Sequence, residues 1–252
     1  LDWIGIDGCR GGWVYIALEG GKWKAGVKSS IQELHQLLLK ARLVLIDMPI
    51  GFPDFCEPVR SCDRLARKLL GKKASSIFPV PARETLNALN YEEANKVNRE
   101  ILGRGLSRQS WGIAPKLKEL DEYLRSSGKR VNIREAHPEV LFWSLNHGKV
   151  VEGNKKTNKG FVDRINLLQI LFPGGWEIYN YLQESYSRKE IGPDDILDAL
   201  VLAVSARMSI MGLISLPEEK DLDLLGMSRE IVYPDYYFPG SRKGVVIKTK
   251  KK

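Results

Sequence analysis

Cysteine is almost missing from this chain, with three among 252 residues, Cys9, Cys56 and Cys62. Their spacing fits no zinc site, and an odd count argues against a disulfide framework. Cys56 and Cys62 are near enough to pair across a loop, although reduced thiols suit a cytosolic protein better; the pairing stays open. No stretch approaches the roughly 18 uninterrupted apolar residues of a membrane span. No segment repeats, and no low-complexity linker divides the chain. The opening LDWIGID runs straight into a strand pattern, without a basic region or cleavage site. Neither a signal nor a transit peptide is expected, and the cytoplasm is the default location.

Acids are missing from the last eleven residues, which hold Arg242, Lys243, Lys248, Lys250, Lys251 and Lys252. Without those six the net charge falls from +8 to +2, because 33 bases then face 31 acids. Such a tail (residues 242–252) commonly serves solubility. The overall charge therefore supports nucleic-acid binding only weakly.

Two apolar runs are present that end in a carboxylate. WIGID closes on Asp7 before a glycine-rich hairpin, and LVLID closes on Asp47 before MPIG. Each reads as a buried strand stopped by a breaker. A carboxylate at the end of a core strand is costly unless it is paired or binds a cation. Parallel neighbouring strands, about 4.8 Å apart, would bring both acids to one sheet edge. Residues 12–18 and 23–27 continue the first strand as an antiparallel meander. Ser30 and Glu33 form a capping-box pattern for a helix to about residue 39. A helix before Leu43 makes the fourth strand parallel to the first.

Residues 48–130 read as a helical, proline-punctuated insertion, with helices expected over 63–70, 82–89, 91–102 and 116–125. It would be a lid, a substrate-reading arm or a cover for the sheet. A fifth strand over 131–135 ends in Glu135. Short helices then follow to about residue 146 and over 158–171, and a strongly apolar one, GPDDILDALVLAVSAR, closes the pattern. The fold class is α/β, a mixed five-stranded sheet of order 3-2-1-4-5 flanked by helices, with residues 1–252 as a single domain.

Asp7, Asp47 and Glu135 would line one sheet edge, and the last helix adds Asp195 and Asp198, which share a face at i, i+3. Several carboxylates cannot all ionise together without a counter-charge. Hard oxygen donors select Mg²⁺ or Mn²⁺, and two such ions about 3.5–4 Å apart suit phosphodiester hydrolysis. The plainer reading is that these acids are caps, strand ends and partners of arginines.

The pattern of acids on the first and fourth strands and on a late helix resembles the RNase H-like fold. DDILDALVLA is similar to the ligand helix of RuvC-type resolvases. The segments IGIDGCRGGW, LIDMPIGFP, RSCDRLARKLLG, SSIFPVPAR, GLSRQSWGI, EAHPEVLFW and DDILDALVLA resemble those of an uncharacterised family of predicted RNase H-like nucleases. That family is number 429 among the domains of unknown function, and the segments span roughly four-fifths of the chain. The resemblance implies Asp7 as the central metal-bridging carboxylate, Asp47 as the fourth-strand ligand, and Asp195 and Asp198 as the rest of the site. Glu135 would be a further ligand or a supporting acid. An aspartate where many such nucleases carry glutamate must stand closer to the ion.

Arg10, on the glycine hairpin beside Asp7, could clamp phosphate together with backbone N–H groups; the hairpin could equally be a tight turn. Arg60, Arg64, Arg67, Lys68, Lys72 and Lys73 form a basic segment that is either a solvated face or a backbone-contact surface. Arg83 could line a cleft, and Lys155 and Lys156 could contact phosphate from a polar loop. His137 is either a proton carrier or a helix cap. Gln109 and Trp111 could hold a base or simply pack. The leading expectation is a Mg²⁺- or Mn²⁺-dependent nuclease acting on DNA or RNA with two ions. Nucleotide-dependent phosphoryl transfer on an actin-like core is the rival, although such enzymes use two copies of the core. A non-catalytic nucleic-acid-binding module is the third class.

Overall fold

The apolar runs form strands, and glycines make the turns between them. In the computed structural model, which describes residues 2–127, 130–155 and 157–236, β1 (Trp3–Cys9), β2 (Gly12–Glu19) and β3 (Lys22–Lys28) form an antiparallel meander. A 3-10 turn (Ile31–Leu34) and the one-turn α1 (His35–Leu38) lead to β4 (Leu43–Asp47). β4 runs parallel to β1, and β5 (Ile133–Glu135) runs parallel to β4. The order is β3-β2-β1-β4-β5, as the sequence pattern predicts.

The expected capping box does not form. Ser30 makes no side-chain cap bond, and Ser29 pairs with Glu33 instead. The Ile31 amide donates to Glu119 Oε1, 88 residues away. A long-range carboxylate thus displaces the local cap, a choice that local sequence cannot reveal.

The insertion holds α2 (Ser61–Leu70), α3 (Tyr91–Leu102), α4 (Arg108–Gly112) and α5 (Ala114–Ser127). Asn90 caps α3 by accepting from the Glu93 amide at 2.9 Å. The helix expected over 82–89 shrinks to a 3-10 turn, Arg83–Asn87. There the Thr85 hydroxyl bonds the Ala82 carbonyl at 2.7 Å and competes with a longer helix. Leu117, Leu120 and Tyr123 of α5 pack with Ile4, Ile6, Val44 and Ile46, so this part of the insertion covers one sheet face. Trp111 packs against the same cluster.

The other face carries α6 (Pro138–Leu145), α7 (Asn158–Leu171), α8 (Gly175–Ser185) and α9 (Pro193–Met208). α8 was not legible in the sequence; neither were β6 (Leu213–Leu216) and β7 (Ile231–Pro234), which form a separate antiparallel pair. Every residue of α9 from Ile196 to Ala206 is buried, as a helix apolar on all sides requires. It lies directly on β1, where Gly5 makes room: a Cβ at that position would overlap the Ala203 nitrogen and the Ala199 carbonyl oxygen. Cys9 and Cys62 are buried, Cys56 is exposed and all three are free thiols, which closes the question of a Cys56–Cys62 pair. Among the described residues no helix is long and apolar enough to cross a membrane.

The close approach at Gly5 has a measurable cost attached. Gly5→Ala must push α9 off the sheet and is expected to destabilise by about 3 kcal/mol or more, the upper end of overpacking. Gly21→Ala, where an added Cβ meets nothing within 4 Å, is expected to stay within about 0.5 kcal/mol of the parent. Thermal melts of the two variants compare them directly.

Candidate metal centre

β1 continues two residues past the expected end at Asp7, to Cys9, while β4 ends at Asp47; the two acids are register partners, Asp7 opposite Asp47. Both follow residues on the α9 side of the sheet, Gly5 and Leu45, so alternation turns both carboxylates toward α9. Asp198, on the second turn of α9, meets them there. One oxygen from each of Asp7, Asp47 and Asp198 lies within 4.8 Å of the others. Asp7 and Asp198 are buried and Asp47 is partly so. This triad could hold a metal ion.

The electrostatics of the group are strained without a cation. Burial pushes the Asp7 carboxyl well above the ordinary carboxylate range, and Asp47, Asp198 and Asp195 add to the effect. Burial likewise raises Asp47 to about 7 and Asp198 to about 7, with Lys155 opposing both shifts. Lys155 donates to Asp198 Oδ2. Asp7 Oδ1 accepts from the Gly8 amide at 2.7 Å. Asp198 Oδ1 is buried with no hydrogen-bond partner in the structure. A buried orphaned carboxylate oxygen among hard oxygen donors is what a divalent cation would satisfy, so the residues present fit such an ion.

Asp195 has a different task. Its Oδ2 accepts from the Gly192 amide at 2.8 Å and caps α9, one turn before Asp198. It lies outside the 4.8 Å group, although it lines the same cleft.

Glu135 does not join the triad. Its register partner is Ile46, not Asp47, so its side chain turns away from the triad, although it lines the same cleft. There it accepts from Arg60 Nη2 at 2.7 Å, from Arg60 Nη1 at 2.8 Å and from the Ile50 amide at 2.6 Å. Arg60 is itself buried. It also donates to Asp63, at 2.6 and 3.1 Å, and to the carbonyls of Ile50 and Gly51. All five of its N–H donors are committed, which corrects its expected phosphate-contact role. Arg83 is likewise committed to Asp121 and Asp223 and stacks over Phe52.

His137 is a cap. Its Nδ1 accepts from the Glu139 amide and its Nε2 faces the Ser76 carbonyl, both at 3.2 Å, so the ring is neutral and both nitrogens are engaged. Burial lowers its pKa, so the structure gives it the helix-cap role of the two read from sequence. The glycine hairpin is a turn: Gly12 has φ +127°, and the Gly11 amide donates to the Glu190 carbonyl rather than outward. In the basic segment, Arg64 pairs with Glu57 and Arg67 donates to the Ile77 carbonyl. Lys156 and the basic tail 242–252 lie outside the described residues.

Asp7, Asp47 and Asp195 line a cleft of about 800 Å³. The insertion also lines it, through Ile77, Phe78, Pro79 and Lys116. Arg10 and Arg188 are exposed on its lining. Arg188 and Lys116 were not singled out from sequence. Arg188 sits in the short loop before α9, and its only signal was that closeness to the acidic helix.

Two outcomes follow from these placements. Arg60→Ala leaves Asp63 and Glu135 buried without their partner and is expected to cost about 3–5 kcal/mol in denaturant unfolding. The triad carboxyls titrate higher in the fold than in the unfolded chain, which therefore loses its protons first as pH rises. Their contribution to stability is thus lost between about pH 4 and about pH 7, in the absence of a bound cation. Asp198→Asn removes one such group. The melting temperature of this variant minus that of the parent should become more positive from about pH 5 to about pH 8 in chelator-treated protein. A constant or falling difference would contradict the assignment.

A family model described as a protein of unknown function, DUF429, matches residues 5–221. No curated protein and no solved structure matches the chain. With most of the chain covered by that match, including Asp7, Asp47 and Asp198, the protein belongs to the DUF429 family.

Proposed function

We propose that this protein is a metal-dependent nuclease that hydrolyses phosphodiester bonds in DNA or RNA, using Mg²⁺ or Mn²⁺ held by Asp7, Asp47 and Asp198. The observation that carries this reading is the triad itself: three carboxylates within 4.8 Å of one another, with Asp198 Oδ1 buried and unpartnered. An anionic floor would repel a phosphodiester, so the same residues that attract a divalent ion make little sense for phosphate chemistry without one. When bound, the ion supplies Lewis-acid polarisation of a phosphoryl oxygen and lowers the pKa of water.

The chain's own side chains do the rest. Asp7, Asp47 and Asp198 bind and orient, fixed by two parallel strands and a buried helix. Arg10 and Arg188, exposed on the cleft lining, take the charge of the phosphate backbone on either side of the scissile bond. The Ile77–Phe78–Pro79 lining of the cleft gives the bases or sugars an apolar surface. Arg60 and Glu135 line the same cleft, but they are bound to each other and to Asp63, and they stiffen its wall.

A screen of labelled single- and double-stranded DNA and RNA, with bis(p-nitrophenyl) phosphate as a minimal diester, tests the reading in Mg²⁺ or Mn²⁺. Cleavage should require metal and fall by at least about 100-fold in Asp7→Asn and Asp47→Asn, since even residues behind metal ligands cost about 10–100-fold. Arg10→Ala and Arg188→Ala should instead raise KM and flatten the salt dependence, by about 0.9 in log–log slope for each lost phosphate contact. Cleavage that survives Asp7→Asn, or no cleavage of any diester, would refute the proposal.

A further inference from the structure

We propose that the Lys155 ammonium stands where a second cation would otherwise sit, so that the site takes one divalent ion rather than the two expected from sequence. This rests on the metal-binding reading above and specifies its stoichiometry.

The first argument is charge. The three triad carboxylates, fully ionised, carry three negative charges, and Lys155, joined to Asp198 Oδ2, returns one. One divalent ion then brings the cluster to neutrality. A second would leave a net positive charge in a largely buried site, which is costly. Lys155 also acts electrostatically on Asp7 and Asp47, so its charge belongs to the whole triad rather than to one pair.

The second argument is the supply of oxygens. Asp198 Oδ2 is taken by Lys155 and Asp7 Oδ1 by the Gly8 amide. A site for two ions needs carboxylates that bridge through both oxygens. Here each of the two most buried acids already spends one oxygen on the protein.

The third is that the loop carrying Lys155 is built to hold it. The Gly153 carbonyl accepts from Lys73 Nζ at 3.0 Å and, at 3.4 Å, from Arg164, whose side chain is fully buried. Glu139 ties both cations together, meeting Lys73 at 3.0 Å and Arg164 at 2.8 Å. Arg164 Nη1 also donates to the Gly160 carbonyl at 2.8 Å. Gly153 has φ +83°, and a Cβ at Gly160 would overlap the Asn154 carbonyl oxygen, so the loop folds tightly onto the start of α7. Two buried or half-buried cations and one acid thus fix the backbone two residues before Lys155. A lysine that only wandered over the surface would have no such support.

Isothermal titration of the full chain with Mn²⁺, together with electron paramagnetic resonance, tests the assignment. The parent should bind one Mn²⁺ per chain, with the spectrum of an isolated ion. Lys155→Ala should double this to two, with the spin coupling of ions about 3.5–4 Å apart. Lys155→Arg keeps the charge and should bind one. Cooperative melting of each variant in chelator confirms that it is folded. Two ions in the parent, or one in both the parent and Lys155→Ala, would overturn the proposal while leaving the metal site standing. No Mn²⁺ on any of the three proteins would overturn the metal reading and this proposal with it.

Discussion

The site depends on how near α9 comes to β1. A carboxylate on a helix reaches carboxylates on two strands only if the backbones approach more closely than side chains normally allow. Gly5 permits that approach, because any Cβ there would meet the backbone of α9 at Ala199 and Ala203. The same contact surrounds the helix with apolar neighbours from Ile196 to Ala206. Asp198 is therefore desolvated by the packing that delivers it to Asp7 and Asp47. Geometry and charge stress have one origin.

What sets this trio apart is how the other buried acids are treated. Asp63 and Glu135 share Arg60, Asp121 and Asp223 share Arg83, and Asp54 meets Arg229. Each pairing satisfies a buried carboxylate with a guanidinium, the arrangement that makes burial of charge tolerable. Among the described residues, Asp7, Asp47 and Asp198 together have a single lysine, Lys155. Elsewhere the fold resolves its buried charges internally; at this triad it leaves two negative charges uncancelled.

Much of this was legible in the sequence, for physical reasons. The apolar runs up to Asp7 and Asp47 are strands, although β1 continues past Asp7 to Cys9, and the helix expected before β4 makes it a parallel neighbour of β1. The 3-10 and α pieces before Leu43 differ from the expected helix without changing the topology. Glu135 lines the cleft with Asp7 and Asp47 but stays out of the triad, because alternation along β5 depends on its register with β4. A strand of three residues does not announce that register, and a slip of one reverses the face. Arg60 looked like part of a solvated basic segment, since local spacing cannot show that two acids, one of them 75 residues away, enclose it. β6 and β7 are short and lie apart from the main sheet, so their pattern was too brief to read. Lys155 reads from sequence as a candidate phosphate contact; its partner is instead Asp198, a contact set by the fold of the loop against α7.

The central claim is that Asp7, Asp47 and Asp198 form a divalent-cation site. A crystal structure of the protein grown with millimolar Mn²⁺, with anomalous data collected near the manganese edge, tests it most directly. The account predicts an anomalous peak bounded by these three carboxylates, with Asp198 Oδ1 among its ligands. A triad that stays free of manganese, or a peak elsewhere with the three carboxylates satisfied only by Lys155, would contradict it.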